Sequence, residues 1–166
     1  TEGINLLAYS LSNQIKSGDE IIISHLEHHS NIVPWQMLCE RTGATLKVIP
    51  IDENGNLQLD FLDKTLSEKT KIVSFNHVSN ALGVINPVEE IISRTRKNSN
   101  ALIVIDGAQS APHFKIDVQK MDCDFFVFSG HKMYAPMGTG ILYGKENHLE
   151  NMQPFHGGGE MIATVS

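Results

Sequence analysis

The feature that most constrains this chain is a succession of short, largely apolar runs, Glu20–Ser24, Leu46–Ile51, Lys71–Phe75, Ala101–Ile105 and Phe125–Phe128, separated by segments of helical period. Runs that are apolar at successive positions are buried on both faces, and such strands belong to a mostly parallel sheet. The segments between them supply the covers. Thr1 reads as a helix N-cap with Glu2 in the first turn, and Ile4, Leu7, Ala8, Leu11 and Ile15 form one apolar face up to Gly18. Further helices are predicted over Pro34–Arg41, closed by Gly43, over Gln58–Leu66, and from Pro87 to about Lys97 with Val88, Ile91 and Ile92 inward. Asp52–Asn56 is a turn and Ile141–Tyr143 a last strand. The pattern predicts an α/β fold, a mostly parallel sheet covered by helices on both faces.

Composition removes several function classes. With 166 residues, 41% of them hydrophobic, the chain can bury a core. A net charge of −6 opposes general nucleic-acid binding, which draws on Lys and Arg. No apolar stretch approaches the roughly 20 residues of a membrane span. Two cysteines, Cys39 and Cys123, cannot make a disulfide framework, so a reducing compartment is expected, the cytoplasm or an organelle matrix. There is no initiator Met and the helical pattern begins at once, which suggests a piece of something longer. Residues 155–166 carry Gly157, Gly158 and Gly159 and no helical period; a β-hairpin or a loop packed on a neighbour is expected there.

Ligands in open α/β sheets bind beyond the carboxyl ends of the strands, so the polar residues that follow each apolar run are the candidates for chemistry. They are His25, His28 and His29; Asn76, His77 and Asn80; Asp106 and Gln109; and Ser129, His131 and Lys132. Asp106 follows its strand without a break. It reads either as a partly desolvated carboxylate that needs a cationic partner or as the cap of a short helix beginning near Gly107. Ser129-Gly130-His131-Lys132 puts a hydroxyl, a flexible glycine, an imidazole and an amine at one strand mouth, and a desolvated lysine beside a histidine can form a Schiff base. Lys132 as a plain surface amine is the alternative.

The histidine cluster invites a metal reading, but zinc motifs place two histidines four apart on one helical face, whereas these follow a strand; no metal site is expected. Cys39 reads as a small core residue. Cys123 lies between Asp122 and Asp124, which disfavour a thiolate, so neither cysteine reads as an activated nucleophile.

Five stretches in order carry a resemblance: Thr1-Glu2-Gly3-Ile4-Asn5, Glu27 through Gln36, His77-Val78-Ser79-Asn80, Asp106-Gly107-Ala108-Gln109 and Ser129 through Tyr134. Together they resemble the fold type I pyridoxal-phosphate enzymes of the class V aminotransferase group, and among these the SufS-type cysteine desulfurases and selenocysteine lyases. The resemblance covers essentially the whole chain. It implies that residues 1–166 are the central part of the cofactor-binding large domain, with one sheet strand, an N-terminal segment and a C-terminal small domain outside it. It implies that Lys132 carries pyridoxal 5′-phosphate as a Schiff base, that Asp106 pairs with the pyridinium nitrogen, and that His28 stacks on the ring and takes part in proton transfer. Gln109 is implied at the phenolic oxygen, Thr1, Ser129 and His131 at the phosphate, and Asn80 at the cofactor or the substrate carboxylate.

The implied reaction takes sulfur from L-cysteine, leaving alanine and an enzyme persulfide, in a homodimer that passes the sulfur to an acceptor protein for iron–sulfur clusters. The nucleophilic cysteine and the substrate-gripping arginine of such enzymes fall outside these residues, so the isolated chain is expected to be inactive. Ala135 stands where relatives usually have glycine, which disfavours positive φ there. The rival readings are a selenocysteine lyase, a kynureninase-like hydrolase or an epimerase on the same frame, and, in another class, a non-catalytic cofactor-binding fragment.

Overall fold

Strand pairing in the computed structural model, which describes residues 1–159 and Met161, places six strands in one sheet in the order β2-β1-β3-β4-β5-β6. These are β1 (Glu20–Ser24), β2 (Thr45–Ile49), β3 (Thr70–Asn76), β4 (Leu102–Asp106), β5 (Phe125–Ser129) and β6 (Gly140–Gly144). The first five are parallel, while β6 runs antiparallel to β5. The link from Gly130 to Thr139 is too short for the crossover of about a dozen residues that a parallel neighbour needs.

Helices cover both faces, as the two-sided apolarity of the strands requires. On one face α1 (Glu2–Ser10) and α2 (Val33–Thr42) bury Ile4, Leu7, Trp35 and Leu38 against Ile21, Ile23 and Val104. On the other, α3 (Leu59–Thr65) and α4 (Val88–Asn98) bury Leu62, Ile91 and Ile92 against Ile22, Val73 and Ile103. Alternate residues of each strand therefore belong to different cores. Gly43 ends α2 in the left-handed conformation at φ 75°, the role its position predicts.

Several elements differ from the sequence expectation. The first helix stops at Ser10 and a 3₁₀ turn covers Ser12–Gln14, although Leu11 and Ile15 remain buried. Ser12 donates its hydroxyl to the Tyr9 carbonyl at 2.6 Å, and such local bonds compete with helix propagation. Two short helices without a readable period, α5 (Val118–Met121) and α6 (Glu146–Glu150), were not expected. Positive φ after the fourth site-bearing strand falls on Tyr134 and Gly138, not on Ala135, so the alanine carries no backbone strain. Near the C-terminus Phe155 packs edge-on against Tyr9, and Gln153 bonds the Tyr9 carbonyl at 2.9 Å. The expected hairpin or loop over 155–166 lies, for residue 160 and residues 162–166, outside the described residues.

At the amino ends of the strands Asp124 anchors a charged knot. Its side chain, 2% exposed, accepts two bonds of 2.7 Å from Arg96 and one of 2.8 Å from the Ile103 amide, with Lys145 at 3.3 Å and His148 at 3.1 Å. Burial pushes this carboxyl upward, but the Arg96 and Ile103 hydrogen bonds and the nearby cations outweigh it and hold the group below its usual range. The knot ties α4 and α6 to the sheet at the end opposite the candidate site.

Candidate functional site

β3 ends at Asn76 and β4 at Asp106, and the two are register partners, so both strands deliver their terminal polar residue at one level. β5 ends beside them at Ser129 and passes into a 3₁₀ turn, Gly130–Met133, that carries His131 and Lys132. The amino end of α1 lies close over β5: a Cβ on Gly3 would stand 2.8 Å from Val127 Cγ1, so glycine permits the approach. The loop after β1 adds His28. These ends enclose a cavity of about 230 Å³.

The eight residues to which the family resemblance assigns a role all line this cavity. Thr1 comes from the entrance to α1, His28 from the β1–α2 loop and Asn80 from the loop after β3. Asp106 and Gln109 follow β4, while Ser129, His131 and Lys132 follow β5. His25, His29 and His77 are not among the lining residues. His77 alternates to the other side of β3 and borders a separate groove with Glu89 and Lys120, where burial lowers its pKa. Among the described residues no group of three or more His, Cys, Asp or Glu side chains is arranged to hold a metal ion.

Asp106 caps a turn rather than the short helix expected near Gly107, and it has no cationic partner among the described residues. Its Oδ1 accepts the Ala108 amide at 2.9 Å, capping the turn that follows, while Oδ2 accepts no hydrogen bond among the described residues. The group is 7% exposed, so a nearly buried carboxylate oxygen is left without a donor beside the cavity. Gly107 is required behind it, because a Cβ there would sit well under 3.0 Å from the Phe126 ring. Gly130 is held the same way against the Thr139 hydroxyl.

Thr1 occupies the N-cap position of α1, as expected, but makes no side-chain capping bond, so among the described residues its hydroxyl is uncommitted at the cavity. Lys132 is exposed rather than desolvated, and neither it nor Asp106 has an ion-pair partner among the described residues. His28 accepts the Ser30 amide at Nδ1, 3.2 Å, with the Ser30 hydroxyl at 2.9 Å. An Nδ1 that accepts a backbone N–H carries no proton in the neutral ring, so the proton resides on Nε2.

Sequence reasoning missed Glu27. It is buried behind the cavity and accepts from the Ser24 hydroxyl, from Asn31 Nδ2 at 2.6 Å and from the Asn76 amide at 3.1 Å. Burial pushes this carboxyl up to about 7 against the pull of those three donors, and the charge on Asp106 adds to the rise. A glutamate in a histidine-rich loop reads as solvated, and only the donors that fold around it reveal otherwise. Cys39 and Cys123 are both free and buried. Burial first, then the charges of Glu40 and Asp124 respectively, push both thiols up, Cys123 to about 11.

The family profile described as Aminotransferase class-V matches residues 1–166. The chain belongs to the class V aminotransferase family. A cysteine desulfurase of Enterobacter sp. (strain 638) is 56% identical over 167 residues, which cover all of this chain and 41% of that protein. The crystal structure of the cysteine desulfurase CsdA of Escherichia coli superposes with a TM-score of 0.93 at 39% identity, over 99% of this chain and 41% of that one. A mutant of C-DES with glycine covalently linked to its PLP cofactor superposes with a TM-score of 0.83 at 29% identity, over 92% of this chain and 40% of that one. The chain thus spans about 41% of the length of the curated relatives it matches. The sheet with its helical covers is the fold type I architecture.

The donor set fits pyridoxal 5′-phosphate. An unpaired, nearly buried carboxylate oxygen suits a protonated ring nitrogen, an amine at the rim suits the aldehyde, and a helix amino end with uncommitted hydroxyls suits a phosphate.

Proposed function

We propose that residues 1–166 form the central, cofactor-binding part of the large domain of a pyridoxal-phosphate cysteine desulfurase. The observation that carries this is the convergence of Asp106, with one carboxylate oxygen free, and Lys132 on one cavity beneath the amino end of α1. The names of the relatives support the substrate, L-cysteine.

Bound pyridoxal phosphate supplies an electron sink for charge that develops on the substrate. Lys132 holds it through the side-chain amine. Asp106 Oδ2 keeps the proton on the ring nitrogen, an ion pair strengthened by the low exposure of the carboxylate. Thr1, Ser129 and His131 bind the phosphate together with the free N–H groups that begin α1. Gln109 donates to the phenolic oxygen, and Asn80 bonds the cofactor or the substrate carboxylate. His28, which lines the cavity, would move a proton at Nε2, the nitrogen its bond to Ser30 leaves protonated.

The cysteine that receives the sulfur lies outside these residues. A thiolate is the nucleophile, and burial disfavours it at both Cys39 and Cys123. This chain alone is therefore inactive. The complete enzyme works as a homodimer in the cytoplasm, releases alanine and passes persulfide sulfur to an acceptor protein for iron–sulfur cluster assembly. Among the described residues no helix is long and apolar enough to cross a membrane.

The full-length protein is expected to bind pyridoxal phosphate with a visible absorption band and to release alanine from L-cysteine, and Lys132→Ala is expected to remove both. A Lys132→Ala protein with an unchanged band would refute the pocket assignment. Full turnover by residues 1–166 alone would refute the external cysteine.

A further inference from the structure

The β1–α2 loop presents His28 to the cavity, yet the described structure gives its imidazole bonds only to Ser30, two residues away in the same loop. What places the loop itself is one residue earlier. The Glu27 carboxylate joins three elements: the end of β1 through the Ser24 hydroxyl, the start of the α2 region through Asn31, and the end of β3 through the Asn76 amide. Asn76 also donates its side-chain amide to the Leu26 carbonyl, and its Oδ1 accepts from Asn86 at 2.7 Å. Asn76 lines the cavity and is the register partner of Asp106.

We propose that Glu27 is the positioning residue of this pocket, tying the loop that carries His28 to the strand ends that carry Asn76 and Asp106, and so setting where the imidazole stands relative to the bound ring. This rests on the reading of the cavity as a pyridoxal-phosphate pocket. Glu27 does not line the cavity and acts through its neighbours.

The network is polarised in one direction, and that makes it testable. Asn31 Oδ1 already accepts from Trp35 Nε1 at 2.9 Å and from the Ser74 hydroxyl at 2.6 Å, so the amide cannot flip, and Asn31 must offer its NH₂ to residue 27. Ionised, as it is above about pH 7, the Glu27 carboxylate accepts from all three donors at once. A glutamine at position 27 cannot: placing its oxygen toward Ser24 and Asn76 sets its NH₂ against that of Asn31, and the reverse sets it against the Asn76 N–H. Exchanging the partner as well, Glu27→Gln with Asn31→Asp, restores a complementary pattern. The carboxylate introduced at position 31 still accepts from Trp35 and Ser74, and its second oxygen accepts from the amide introduced at position 27, whose own oxygen faces Ser24 and Asn76.

The experiment uses the full-length protein, purified without cofactor and then loaded with pyridoxal phosphate. Three quantities are followed: the visible band and its pH titration, the dissociation constant for added pyridoxal phosphate, and kcat and KM for alanine release from L-cysteine. Glu27→Gln is expected to lower kcat by about 10- to 100-fold with KM changed by less than about threefold, as a displaced proton-transfer group does, and to alter the pH titration of the band. The Glu27→Gln, Asn31→Asp double variant is expected to recover both. A Glu27→Gln protein with normal kcat and band overturns the proposal. Should that variant fail to fold, the double variant decides alone: cooperative unfolding with a wild-type band and kcat supports the proposal, and cooperative unfolding without them overturns it. Failure of the wild-type protein to bind pyridoxal phosphate at all is a separate result, and refutes the pocket assignment itself.

Discussion

Glu27 also makes a quantitative statement about stability. Its carboxyl has an ordinary value of 4.5 and is pushed up to about 7 by burial, so the folded state holds the proton more tightly than the unfolded chain. Between those values the native form binds more protons, and stability must fall as pH rises. The favourable contribution is fully present below about pH 4.5 and gone above about pH 7. At about 1.4 kcal/mol per decade of proton affinity, the whole excursion is about 3 kcal/mol.

Glutamine does not titrate. Urea unfolding of the cofactor-free full-length protein, wild type and Glu27→Gln, from about pH 5 to about pH 8 isolates the effect in the difference between the two curves. The mismatch of donors in the variant adds a vertical offset at every pH. The expected signature is a slope: the variant loses progressively less, relative to wild type, as pH rises through the window. Asp106 and the histidines are present in both proteins and cancel to first order. Parallel curves would refute the reasoning, because they would mean that Glu27 holds its proton no more tightly folded than unfolded.

Gly107→Ala is expected to destabilise by about 1–3 kcal/mol, because the new methyl overlaps the buried Phe126 ring, with Phe126→Leu recovering part of the loss in denaturant melts. The same variant is expected to weaken pyridoxal-phosphate binding in a titration, since the strain falls next to Asp106. Asp124→Asn is expected to cost about 3 kcal/mol of unfolding free energy by leaving Arg96 and Lys145 without their buried partner, with the visible band of loaded protein unchanged because the knot lies at the far end of the sheet.

The strands were legible because they are apolar on both faces, a pattern that no surface element tolerates; from Glu20–Ser24 to Phe125–Phe128 each predicted run lies within or overlaps an observed strand. The helix over Glu2–Ser10 was predicted too long, since buried Leu11 and Ile15 keep the period after the hydrogen bonding has changed to a 3₁₀ turn. α5 and α6 were missed because four or five residues do not complete enough turns to show a period. In the site, polar residues that follow a strand announced themselves by position. Position did not tell which strand face each would take, so His77 fell on the far side of the sheet while Asn76 lines the cavity.

By itself the sequence determined the α/β class and the family, because hydrophobic period and ordered motifs are local properties of the chain. Only the tertiary structure decided that eight residues from Thr1 to Lys132 share one cavity, that Thr1 leaves its hydroxyl uncommitted, and that Lys132 stands exposed. It alone showed that Glu27 is a buried acceptor rather than a solvated charge. The physical reason is the same in each case: burial and hydrogen-bond partnership are set by residues far away in the chain, as Asn76 is from Glu27, and come together only when the sheet brings their strand ends to one level.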